Sequence, residues 1–138
     1  MTHGKHVING TVAEWVPVLR ELLPEYGHFA ATLLVDSENR DEPAAEHSIT
    51  ALDVDDDGAE INLCADPRTS APLTVSALVT HLNALPAKCS AYHLYSAAPW
   101  RDLGRGVEVR TDAPIVNVVV DDAGKRIGFM GEGARLDR

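Results

Sequence analysis

Val12, Trp15, Val16, Leu19, Leu22 and Leu23 recur three or four residues apart and form one apolar stripe, the mark of an amphipathic helix. Thr11 and Glu14 stand in the N-cap and third helical positions, where each can satisfy an orphan amide of the other. Pro17 lacks the amide that a helix starting at Thr11 would use, so a bend there, or a regular helix only from about Val16, is expected. Pro24 and Gly27 mark the end. Val75, Leu78, Val79, Leu82 and Leu85 make a second stripe, with Thr74 as N-cap and Pro86 as stop.

The other apolar runs read as strands. Residues 28–35 place Phe29, Ala31, Leu33 and Val35 on one face, and residues 36–46 follow as a polar loop. Residues 47–54 and 59–64 form two strands joined around the Asp-Asp-Asp-Gly sequence at 55–58, where Gly58 is expected to supply a positive φ. Ile61 and Leu63 should face inward, Glu60 and Asn62 outward. Residues 89–97 are the next strand, 99–106 a loop, and 107–110 a short strand. Residues 115–120 are almost continuously apolar, which predicts a central strand covered on both faces. Its one polar member, Asn117, should hydrogen-bond inside the fold. Asp121-Asp-Ala-Gly124 turns the chain into a last strand at 125–130, and 131–138 should fray.

The expected fold class is α+β. An antiparallel or mixed sheet of about five to seven strands carries two amphipathic helices on one face, in a single domain over 1–138 that includes a short strand before the first helix.

Composition adds little until charge is placed. The 138 residues are 45% hydrophobic, 24% charged and 5% aromatic, so an ordinary globular core built from Val, Leu, Ile and Ala is expected. The net charge is −9, and its location matters more than its size. Between residues 36 and 60 lie ten carboxylates opposed by Arg40 alone; the rest of the chain holds acids and bases in equal number. Such a field repels nucleic acid and anionic membrane and draws cations or basic protein surfaces. Its plainer role is to solubilise one face. Cys64 and Cys89 match no zinc or redox spacing, and no signal peptide or membrane span is evident, so a reduced, cytoplasmic setting is expected.

The sharpest chemical pattern is 53–58, Asp-Val-Asp-Asp-Asp-Gly, which reproduces the first half of a calcium loop. Its closing position, which needs a bidentate Glu, is Cys64, and strands rather than helices flank it, so an acidic hairpin tip outweighs a metal site. A second neighbourhood gathers His93 and Tyr95 on one strand face with Trp100, Arg101 and Arg105 in the following loop. Guanidinium forks and an indole face suit a small anion, although a Trp plugging the core edge beside self-paired arginines explains the same residues. His3 and His6 belong to a terminus expected to be flexible, and no histidine pair has metal-ligand spacing. Nucleophile-elbow, phosphate-loop and dinucleotide patterns do not occur, and no metal or cofactor is expected.

Two functions follow. The first is a non-enzymatic binding protein that presents Asp53, Asp55, Asp56, Asp57 and Glu60 to a basic protein partner. It resembles in kind, without a shared motif, the bacterial immunity proteins that neutralise toxins by covering a basic active site. The second is a small enzyme or ligand-binding domain using His93, Tyr95, Trp100, Arg101 and Arg105. Absent catalytic patterns weigh towards the first, and a homodimer formed across an edge strand or through the helices is a third expectation.

Overall fold

A computed structural model describes residues 2–6, 10–35, 45–65, 71–97, 101–104, 107–109 and 112–132, with the backbone alone for 2–6, 101–104 and 107–109. The elements run β1 (Thr2–His6), α1 (Val12–Tyr26), β2 (Ala30–Val35), β3 (Ala45–Ser48), β4 (Ala51–Asp55), β5 (Glu60–Cys64), α2 (Val75–Asn83), a 3-10 turn (Ala87–Ala91), β6 (His93–Ala97), β7 (Arg101–Gly104), β8 (Val107–Val109), β9 (Asp112–Asp121) and β10 (Arg126–Gly131). This is the α+β class anticipated from the hydrophobic pattern.

Both helices begin where their caps direct. The Thr11 hydroxyl accepts from the Glu14 amide at 3.3 Å while the Glu14 carboxylate accepts from the Thr11 amide at 3.3 Å, closing the capping box. The Thr74 hydroxyl accepts from the Ala77 amide at 3.1 Å. α1 is helical from Val12 and contains Pro17 and Pro24, so the alternative of a regular helix starting only near Val16 does not hold. Both prolines are exposed, and the carbonyls they cannot serve belong to exposed Ala13 and Arg20, where water can replace the lost bond. Val12, Trp15, Leu19 and Leu22 form the buried face, which packs against α2.

One mixed sheet follows the order β3-β2-β10-β9-β6-β5-β4, with β1 added on β9. β10 with β2 and β5 with β6 are parallel; the other pairs in this sheet are antiparallel. The expected single strand at 47–54 is broken at Ile49–Thr50, and its halves pair with opposite ends of the path. The Ile49 amide donates to the Ala31 carbonyl at 3.0 Å, and the Thr50 amide to the Cys64 carbonyl at 2.8 Å. Ser48 and Ala51 are three peptide units apart, at most about 11 Å, so the two ends must meet and the sheet curls. Its concave side holds Trp15 and Leu19 against Ile49, Ile61, Leu63, Leu94, Val118 and Phe129.

Curling opens two splits. β9 pairs with β6 only over 112–114; over 117–121 that edge takes β1 instead. The neighbouring edge of β6 takes Gly10–Val12, through the Leu94 amide to the Gly10 carbonyl and the Val12 amide to the Tyr92 carbonyl, both at 2.9 Å. The N-terminal segment that was expected to be flexible is therefore paired backbone at Thr2–His6. The second split separates β4 from β2. At its root the Ala31 amide donates to the Leu73 carbonyl at 3.0 Å, and the Leu73 amide to the Ile49 carbonyl at 2.8 Å.

Other boundaries moved for local reasons. Residues 89–91, expected to open a strand, belong instead to the 3-10 turn at Ala87–Ala91 behind Pro86, so β6 starts at His93 and Cys89 is buried. The predicted loop at 99–106 contains β7, which pairs with β8. Asn117 is half-buried rather than buried, and its side-chain oxygen accepts from the adjacent Val118 amide at 2.9 Å, beside the register shift where β9 leaves β6 for β1. Glu132 is held by its amide to the Pro114 carbonyl at 2.9 Å; the rest of the expected frayed tail, 133–138, lies outside the described residues.

The two Asp-rich turns are built alike. The Asp55 carboxylate accepts from the Gly58 amide at 3.1 Å, and the Asp121 carboxylate from the Gly124 amide at 2.9 Å. The positive φ anticipated at Gly58 falls instead on the next residue, Ala59 at 54°, as it does on Lys125 at 55°. The glycine supplies space: a Cβ on Gly58 would lie 2.9 Å from Asp55 and 3.0 Å from Glu60, whose side chains fold over the turn. Gly10 differs, having φ of 61° and room for a Cβ only 3.2 Å from the Ile115 carbonyl. Gly10→Ala should therefore destabilise by about 1–3 kcal/mol, and Ala59→Gly should stabilise by up to about 1 kcal/mol, as read by urea unfolding. Equal effects of one sign would contradict this assignment.

Candidate functional site: an acidic hairpin at the sheet edge

β4 and β5 alternate, sending Leu52, Val54, Ile61 and Leu63 towards the concave side and the polar residues to the convex one. Strand register then sets three rows across β4, β5 and β6 on the convex face. Asp55 pairs with Glu60 and Glu60 with His93; Asp53 with Asn62 and Asn62 with Tyr95; Ala51 with Cys64 and Cys64 with Ala97. Asp56 and Asp57 occupy the turn above. All five predicted acidic residues thus share one hairpin. His93, exposed, and Tyr95, half-buried, lie on the same convex face, so the two neighbourhoods proposed separately from the sequence adjoin. Trp100 and Arg105 lie outside the described residues, as does the Arg101 side chain at the start of β7.

The hairpin is only lightly neutralised. Asp56 accepts from the Tyr92 hydroxyl at 2.8 Å and pairs with Lys88 at 3.2 Å. The Tyr92 hydrogen bond first, and Lys88 second, hold the Asp56 carboxyl below the usual carboxylate range. Among the described residues, Asp53, Asp57 and Glu60 have no ion pair. The remaining acids of the 36–60 segment go elsewhere. Glu46, on β3, bonds to Arg126, which also holds Asp121 at 2.6 Å. The Gly124 amide, then Arg126, lower the Asp121 pKa. Asp36, Glu38, Asp41 and Glu42 lie outside the described residues. The partial calcium-loop match falls on strand β4 and its turn, and no group of three or more His, Cys, Asp or Glu among the described residues is arranged to hold a metal.

Two features escaped the sequence reading. Asn62 faces the convex side as expected yet is only 4% exposed, and its side-chain oxygen has no hydrogen-bond partner among the described residues. Alternation gave its direction; nothing in the pattern gave its burial. The second is a cleft of about 410 Å³ between β4 and the end of α2, lined by Thr50, Ala51, Leu52, Val54, Leu73, His81, Ala84 and Leu85. Val54, at 37% exposure, is a large apolar residue left open to solvent there. The periodicity that turns Leu52 and Val54 towards the concave side does not reveal that α2 stops short of covering them.

No protein-family model matches the chain, and neither a curated protein nor a solved structure does. Among the described residues, no helix is long and apolar enough to cross a membrane.

Because its buried oxygen is unpaired, Asn62→Val should leave stability unchanged or raise it by about 1 kcal/mol. A loss beyond about 1 kcal/mol in thermal unfolding would show that the amide is satisfied in the native protein. His47, on the inward side of β3 opposite Leu33, has its pKa lowered by burial, partly offset by Glu46. The folded state then binds its proton less readily than the unfolded state, so stability is full above about pH 6.5 and falls as pH drops below it. His47→Gln should flatten that decline; an unchanged pH profile would rule it out.

Proposed function

We propose that this chain is a non-enzymatic, cytoplasmic binding protein that presents the β4–β5 hairpin to a basic protein surface, an immunity-type protein that masks a toxin being the case of that kind. One observation supports the reading above all. Asp53, Asp57 and Glu60 carry no ion pair among the described residues, whereas Glu46 and Asp121 share Arg126. The hairpin's potential is thus left outward, next to a strand edge. Such a field accelerates encounter with a positive surface and disfavours nucleic acid and anionic lipid. The Asp56–Tyr92–Lys88 cluster anchors the turn, so the carboxylates are presented from a fixed backbone.

The alternative ligand site has less behind it. Neither His93 nor Tyr95 lines the cleft beside α2.

The test is kinetic. A partner recovered with the wild-type protein should associate with Asp53→Lys/Asp55→Lys/Asp57→Lys at least about tenfold more slowly at low salt, and the remaining rate should lose most of its salt dependence. Glu21→Lys, on α1, serves as the charge control. If both variants associate like wild type, the hairpin does not steer binding.

A further inference from the structure

The two splits in the curled sheet are filled differently. Between β6 and β9 the chain inserts its own strand: β1 pairs along β9, and Gly10–Val12 pairs along β6. Between β4 and β2, Leu73 bonds to Ala31 and Ile49 at the root. The chain then runs on beside β2, with the Val75 amide to the Phe29 carbonyl and the Ser76 amide to the Gly27 carbonyl, both at 2.9 Å. That side is filled and the β4 side is not, among the described residues. Beyond that root, β4 ends the strand path, with β5 as its paired neighbour among the described residues. An unpaired strand edge offers a row of amides and carbonyls to another chain. Beside this edge runs the 410 Å³ cleft, lined by Leu52 and Val54 of β4 together with Leu73, Ala84 and Leu85.

We propose that β4 receives an extended segment of the basic partner as an added strand, filling the open split as β1 fills the closed one. The inference rests on the binding-protein reading above and specifies how the partner engages. Period-two alternation sets the chemistry of the segment. Side chains entering beside Asp53 and Asp55 lie on the convex face and are basic; those between them enter the cleft over Leu52 and Val54 and are apolar. Main-chain bonds along β4 hold the segment, and the alternation of Lys or Arg with Val, Ile or Leu gives specificity.

Charge also selects against a second copy as occupant. An antiparallel pairing of β4 with itself, centred on Asp53 or Val54, puts an aspartate of one copy across from an aspartate of the other. Like charges directly opposite on neighbouring strands are destabilising. The same two residues that attract a basic strand therefore keep this edge from closing on itself.

The probe is a capped peptide, Lys-Val-Lys-Leu-Lys-Val-Lys, compared with a shuffled peptide that groups its lysines and with two versions N-methylated on alternate residues, one in each phase. The whole protein is used, and hydrogen exchange of its amides is followed alongside affinity. The alternating peptide should bind saturably, at least about tenfold tighter than the shuffled one, and slow exchange along β4. One N-methyl phase should abolish binding and the other retain it, because only one edge of the peptide meets β4. Asp53→Asn/Asp55→Asn should weaken the alternating peptide while leaving the fold intact. If all peptides bind alike in a salt-sensitive manner without protecting β4, strand addition is wrong and the acidic-surface reading stands. If none binds, strand addition is likewise overturned, and the kinetic test with the recovered partner decides the broader reading on its own.

Discussion

Two consecutive amides, those of Ile49 and Thr50, bond to carbonyls on β2 and β5, strands that lie towards opposite ends of the sheet path. A flat sheet cannot satisfy both, since the chain between β3 and β4 is far shorter than the width of the strands that separate them. Curling follows, and with it a concave interior where α1 and α2 bury their stripes. Ile49 is fully buried at this junction, so its amide has no water to turn to. A hydrogen-bond requirement at one corner thus governs the shape of the whole molecule.

The same curl creates the two splits, and charge is distributed with respect to them. On the side where the sheet is completed by its own strands, Arg126 ties Glu46 to Asp121 across β3, β10 and β9. At the β4 edge the carboxylates are left facing outward. A charged edge strand is a common protection against unwanted pairing. Under the proposed strand addition, protection and recognition use one device, because a field that repels a like-charged copy attracts a strand of opposite sign. The apolar cleft beneath supplies what charge cannot, a surface that gains from being covered.

Much of the fold was legible because its signals are local. Thr11 with Glu14, and Thr74, fixed both helix starts, since a cap and its amides lie within one turn. The apolar run at 115–120 marked the central strand, and the alternation around Ile61 and Leu63 gave the right facing. The alternative of a helix regular only from Val16 failed because proline's cost in a helix depends on whether the orphaned carbonyl reaches water, which is a matter of tertiary placement. Gly58 misled because the turn demanded space over the glycine rather than a left-handed backbone. The clustering of the five acids on one hairpin was visible from the Asp-Gly turn, whereas the departure of Glu46 to Arg126, eighty residues away, was not.

By itself, then, the sequence determined the α+β class, the helix boundaries at their N-caps, the inward and outward faces of the hairpin and the presence of a concentrated negative charge. Each depends on residues within a few positions of one another. The tertiary structure alone decided that the segment around Ile49 bonds towards both ends of the sheet, that β1 closes one split while β4 keeps an edge unpaired among the described residues, and that α2 stops beside β4 to form a cleft. Those features arise from pairings between distant strands, whose register is chosen by the shared burial of both partners.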